Sequence, residues 1–368
     1  LDLRRLGLGV CELVHRIAQG VVGNLKLGGV APDPLKRVAR RMSDNEDARD
    51  CWQRARYLLG RHRVDAYRGA MELFREAAAA DPQFALAFAG IGQAAIGLIG
   101  LSPYPDPVLV DTARTAIAQA LAIDAELAVA YGSEAFLAFA IDRDFERAQL
   151  AVLVALRYAP GDAYVHHMYA WILTLSGRFD DAEAAFAVAR EFDPLDPALR
   201  THEGLLRFYR RDFAGAEKHF ARVLEIEPAS IVARVLRASA ALNRGAHAEA
   251  LAWFEAIARD WPDDSIGSMG VVQALAMAGH EREARANFES MLARFGADRV
   301  GPYRLAIAHT RLGDADRAFA ALERAGALCD MNLVCLAVDP SFDALRDHPR
   351  WKGTLARFNL PDLDTRVA

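Results

Sequence analysis

Few residues in this sequence have the types that chemistry needs, and their spacing decides against most of it. His280-Glu281 opens a zinc-protease pattern, in which two imidazoles one helical turn apart hold the metal, but Ala284 stands where the second histidine belongs. His166 and His167 are adjacent. On a helix, neighbouring side chains diverge by about 100°, so this pair cannot share an ion and reads as core or groove histidines. The four cysteines, Cys11, Cys51, Cys329 and Cys335, form no Cys-x-x-Cys, which suggests neither a disulfide framework nor a zinc site and fits a reducing compartment. There is no Gly-x-Gly-x-x-Gly, no phosphate-cradling Gly-x-x-x-x-Gly-Lys-Ser and no Gly-x-Ser-x-Gly elbow. Carboxylates are plentiful, but on helix-rich surfaces they solvate exposed faces and favour helix starts. The expectation is a non-enzyme with no catalytic residue, no metal and no cofactor.

What the sequence does carry is a register. From Ala163 to Asp330 alanines recur every 34 residues at Ala182, Ala216, Ala250, Ala284 and Ala318, with Phe186, Phe220, Phe254, Phe288 and Leu322 four further on. Prolines close units at Pro160, Pro194, Pro228 and Pro262, and turn glycines stand at Gly177, Gly245, Gly279 and Gly313, with Arg211 as the exception. Alanine and a ring four residues apart share one helix face, where the small residue admits a neighbouring helix and the ring fills the gap. Glycine ends the first helix of a unit and proline stops the second. This period is that of a helix-turn-helix array, and it predicts a solenoid in which each unit packs on its neighbours, so that 368 residues need no single core.

Weaker copies extend the register upstream. Residues 1–29 predict a helix with Val10, Leu13, Val14, Ile17, Val21, Val22 and Leu25 on its apolar face, and Pro32 and Pro34 begin a linker. Ser43-Asp-Asn-Glu46 has capping-box form, which predicts a helix start with Ser43 as the cap. The first unit follows with Trp52, Ala55, Leu59, Ala70, Phe74 and Ala77. In the second unit Pro103, Pro105 and Pro107 predict an inserted loop over residues 101–111. After Asp330 the register fails, and Leu333, Leu336, Phe342, Leu345, Trp351, Leu355 and Phe358 supply an apolar set able to cap the array. The division expected is 1–47 N-terminal helix and linker, 48–330 repeats, 331–368 capping helices.

These markers resemble the tetratricopeptide repeat (TPR), which implies an all-α, right-handed superhelical solenoid of about eight repeats. The strings VDPSFDALRDHPRW, SDNEDARDCWQRARYLLGR and YVHHMYAWILTLSGRFDDA are similar to a bacterial subfamily whose arrays follow a winged-helix domain, a serine/threonine kinase or a class III cyclase in signalling proteins. The chain opens on Leu1 and not Met, which fits a piece of such a protein. In the repeat family the first helix of each unit lines the concave surface. The resemblance places there Phe136, Phe139, Tyr164, His167, Trp171, Thr174, Leu205, Phe208, Val232, Val235, Leu242, Met269, Tyr303 and Ile307. A carboxylate clamp for peptide tails would need Lys, Arg and Asn at these positions, and only the neighbouring Asn243 and Arg311 offer them. The implied partner is a protein or peptide with an apolar face, or the chain's own flanking segment. A homodimer built on the same groove is the alternative.

Charge fits that reading. The net charge is −5, with residues 1–63 carrying 13 basic against 7 acidic side chains, and the arginines alternate with apolar residues without aromatic interleaving. No direct nucleic-acid binding is expected. The longest uncharged run, Phe84 to Pro105, is broken by prolines and glycines, so no membrane span is expected and the location is taken as cytoplasmic.

Overall fold

A computed structural model describes residues 42–363 apart from His62, Pro103 and Leu195. The N-terminal helix expected over residues 1–29 and its linker up to residue 41 lie outside the described residues. Every α-helix among the described residues belongs to one succession. The pairs are α1 Glu46–Leu59 with α2 Val64–Ala80, α3 Ala85–Gly100 with α4 Pro107–Ile123, and α5 Ala128–Phe136 with α6 Phe145–Tyr158. They continue as α7 Ala163–Leu175 with α8 Phe179–Phe192, α9 Pro197–Tyr209 with α10 Phe213–Ile226, and α11 Ile231–Asn243 with α12 His247–Asp260. The last two are α13 Ile266–Met277 with α14 Glu281–Phe295 and, after the single turn α15 Ala297–Val300, α16 Pro302–Arg311 with α17 Ala315–Ala327. Eight helix-turn-helix pairs thus follow one another, and no strand occurs among the described residues. The described residues fall into two compact units, the first ending at Tyr169 and the second beginning at Ala170.

In the second unit the turn chemistry repeats. At each junction an N–H bonds the carbonyl five residues back, Asp212 to Arg207, Ala246 to Ala241, His280 to Leu275 and Asp314 to His309. This Schellman closure needs a left-handed residue, supplied by Gly245, Gly279 and Gly313 and, at φ 70°, by Arg211. The marker alanines from Ala182 to Ala318 and their partners from Phe186 to Leu322 are all buried. Packing is close enough that a methyl group added at Gly270 in α13 would run into the Phe254 ring of α12. A core built this way tolerates neither a gap nor an extra carbon cheaply.

The first unit departs from the sequence expectations in three places. The cap of α1 is Asn45, whose side chain accepts from the Ala48 N–H, and not Ser43. Ser43 instead accepts from the Asn45 N–H and donates to Asp81, fastening the entry of α1 to the end of α2. The inserted loop is shorter than the prolines suggest, since Pro107 opens α4 behind the cap Asp106 and residues 108–111 are helical. Proline costs nothing there, because the first N–H of a helix has no intrahelical partner. The first helix of the third pair ends in a π-turn, Leu137–Ile141, closed by the Asp142 N–H on the Leu137 carbonyl.

Beyond Asp330 the chain makes two 3-10 turns, Met331–Cys335 and Pro340–Leu345, and the short helix α18 Trp351–Arg357. Leu333, Leu336, Phe342, Leu345, Trp351, Leu355 and Phe358 are all buried, with Phe342 ringed by Tyr303 at 5.4 Å and Trp351 at 6.4 Å.

Candidate partner-binding site

The residues assigned to a groove divide between the two units and between exposed and buried positions. In the first unit Tyr164 is 48% exposed and lies beside Gly132 of α5, and Phe136 is half-buried. Phe139 and His167 are buried. The π-turn adds a residue to the last turn of that helix and shifts its phase, so Phe139 meets Phe145 edge-on at 5.4 Å.

In the second unit Trp171 is half-buried, stacked on His202 of α9 with ring centroids 4.0 Å apart and tilted against Tyr209 at 6.2 Å. Leu205 and Val235 are half-buried, whereas Phe208 is buried against Tyr209 and Phe213. Met269 is 2% exposed and belongs to the core between α13 and α14. Tyr303 is buried, its hydroxyl donating to Asp339 at 3.0 Å. Asn243 and Arg311, the two residues with clamp chemistry, bond each other: the guanidinium donates to the Asn243 side-chain amide oxygen at 2.9 Å, while the Arg311 Nε is buried without an acceptor.

The segment after Asp330 lies against α16 and the end of α9. Arg211 grips Asp343 with two bonds, 2.7 and 3.2 Å, and donates to the Val338 carbonyl at 2.7 Å. Arg346 holds the same carboxylate at 2.7 Å. The Tyr209 hydroxyl is hydrogen-bonded to the Cys335 thiol. Burial pushes the Cys335 thiol up to about 12, the bond to Tyr209 pulling the other way and Asp339 adding to the rise. Burial likewise holds Tyr209 and Tyr303 well above the usual phenol value, with Cys335 and Asp339 reinforcing it. These groups therefore stay neutral, which suits a buried hydrogen-bonded cluster. None of Tyr209, Arg211, Cys335, Asp339 or Asp343 is among the groove positions inferred from the sequence. The one available signal was Arg211 standing where every other turn of the regular array has glycine.

Among the described residues no group of three or more His, Cys, Asp or Glu is arranged to hold a metal ion, and no helix is long and apolar enough to cross a membrane. No protein-family model matches the chain, and no curated protein matches it. Solved structures do. PilW, a widely conserved type IV pilus biogenesis factor, is 17% identical, with 59% of this chain and 95% of that one covered at a TM-score of 0.50. A tetratricopeptide repeat protein from Parabacteroides merdae is 17% identical over 62% of this chain and 93% of its own, with a TM-score of 0.49. A thermophilic TPR protein of Thermus thermophilus is 22% identical over 53% and 99%, with a TM-score of 0.44. At such identities the likeness is one of fold. With the 34-residue register and the helix pairs, the fold of this chain is of the tetratricopeptide type.

Proposed function

We propose that this chain is the protein-interaction and regulatory region of a cytoplasmic bacterial signalling protein, taking a peptide or partner helix by apolar contact with its first helices. The observation that carries the reading is the state of the aromatic residues on those helices. Tyr164 stands 48% exposed with Phe136 partly open in the first unit, and Trp171 is half-open on its His202 platform in the second. Aromatic rings held by stacking bury much area on binding with little rotamer entropy lost, which is why binding energy concentrates on them. The pairing of Asn243 with Arg311 argues for an apolar and not a carboxylate-clamped partner. The signalling context rests on the resemblance of the sequence strings given above.

The test is a peptide selection against the immobilised protein, followed by affinity and melting measurements on Tyr164→Ala and Trp171→Ala. Loss of about 2 kcal/mol of affinity at Trp171 with the fold retained is expected. A variant that instead loses about 3 to 5 kcal/mol of stability with affinity unchanged would make Trp171 a packing residue and remove it from the site.

A further inference from the structure

Away from the groove positions, α10, α11 and α12 border an open cavity of about 310 Å³ lined by Leu224, Pro228, Ile257, Trp253, Arg234 and Arg237. Its two arginines are treated differently. Arg234 is satisfied: it donates to the Pro228 carbonyl at 3.1 and 2.9 Å, pairs with Asp260 at 3.2 Å and lies over Trp261. Arg237 lies over the Trp253 ring, 4.2 Å from its centroid, and has neither hydrogen bond nor ion pair with any described residue. Its Nε is buried without an acceptor. A buried N–H of a charged group left without an acceptor is costly; Arg147 and Arg311 also leave Nε unpaired, but each bonds another side chain through a terminal nitrogen, which Arg237 does not. Carboxylates are not scarce here, since the chain has 49 acidic against 44 basic residues, and Arg244 nearby holds Glu217 at 2.9 Å.

An indole face under a guanidinium fixes the plane of the fork and leaves its edge open to an anion. The apolar part of the cavity, Leu224, Pro228 and Ile257, suits an uncharged body, and the volume is at the small end of ligand pockets. Asp260 already neutralises Arg234, so a single negative charge is matched and a dianion is not. We propose that this cavity binds an organic monocarboxylate with a compact apolar body, the carboxylate taken by Arg237 and the body lying against Trp253 and Ile257. The same chemistry is offered by a free acid or by the terminal carboxylate of a peptide ending in an apolar residue.

Calorimetric titration of the whole chain with 3-phenylpropionate tests this. Binding should weaken about tenfold or more with the neutral 3-phenylpropionamide and with Arg237→Gln, and less with Arg237→Lys, which keeps the charge without the fork. Arg237→Gln should melt close to the parent, because the side chain gives up only its stack on Trp253 and no hydrogen bond or ion pair. A peptide ending in phenylalanine, with free and with amidated terminus, separates the two sources, and tighter binding by either carboxylate supports the site. Equal affinity for acid and amide, equal affinity of parent and Arg237→Gln, or no binding of the acid at millimolar concentration would overturn it.

Discussion

Replacing Arg211 by glycine would restore the residue that the regular register carries at that turn, and the structure nevertheless assigns it a loss. The change relieves one left-handed residue, worth about 1 kcal/mol. It also deletes the paired bonds to Asp343 and the bond to the Val338 carbonyl, and charged hydrogen bonds contribute about 1.5 to 3 kcal/mol each when poorly solvated. The pair is shielded, with side-chain exposures of 13% for Arg211 and 32% for Asp343. Asp343 keeps Arg346, which softens the loss. The balance is a destabilisation of about 2 to 3 kcal/mol, read by urea denaturation and by melting. Arg211→Asn, which tolerates the same backbone without the reach, should behave like the glycine variant. A double cycle with Asp343→Asn should return a coupling of about 1 to 3 kcal/mol. A glycine variant as stable as the parent, or more so, would refute the view that this side chain anchors the C-terminal segment.

Other outcomes follow from the same geometry. A chain cut after Asp330 should aggregate, since it uncovers Phe319 and Tyr303, and Phe342→Ala alone should cost about 3 to 5 kcal/mol; a truncated chain as soluble and stable as the parent would count against a capping role. Thiol alkylation followed by mass spectrometry should label exposed Cys329 and spare Cys335, whose thiol burial pushes up to about 12, until Arg211→Gly loosens the segment; equal labelling of both in the parent would contradict the buried cluster. Burial lowers the pKa of His166 and of His219 from 6.5, against their bonds to the Pro160 and Arg200 carbonyls. The unfolded chain therefore binds more protons below pH 6.5, and stability should fall as pH drops from 6.5 towards the lowered folded values; a melting temperature that holds or rises over that window would contradict it.

The register was legible because each unit's contacts are local: Ala250, Phe254 and Gly279 each serve a helix within one repeat of themselves, so spacing alone reports them. What escaped depends on detail or distance. Ser43 and Asn45 are both good caps, and only the path of the entering chain decides between them. The π-turn at Leu137–Ile141 leaves no composition mark, so Phe139 was assigned by a phase that the helix does not keep. Arg211 was visible as an anomaly, but its meaning lies in Val338 and Asp343, which no periodicity connects to it. The groove list mixes half-open and buried side chains for two reasons: Phe208 and Met269 pack within the array itself, and Tyr303 is covered by the C-terminal segment, which a rule written for an open array does not see.

The clasp between Arg211 and Asp343 joins residues 132 apart. An open array of repeats can gain or lose a unit and merely grow or shrink, because every contact is with a neighbour. This stretch cannot. Duplicating the pair α11–α12 would carry the C-terminal segment one repeat away from its seat on α9, and deleting the pair would bring it too close, so the number of units between clasp and seat is fixed in the way the circumference of a ring is fixed. The order of assembly is constrained as well. During synthesis α9 and α10 can fold as soon as they emerge, but their outer contacts stay unmade until residue 343 has been added, and the segment closes at least loss of chain freedom once the intervening pairs are already rigid.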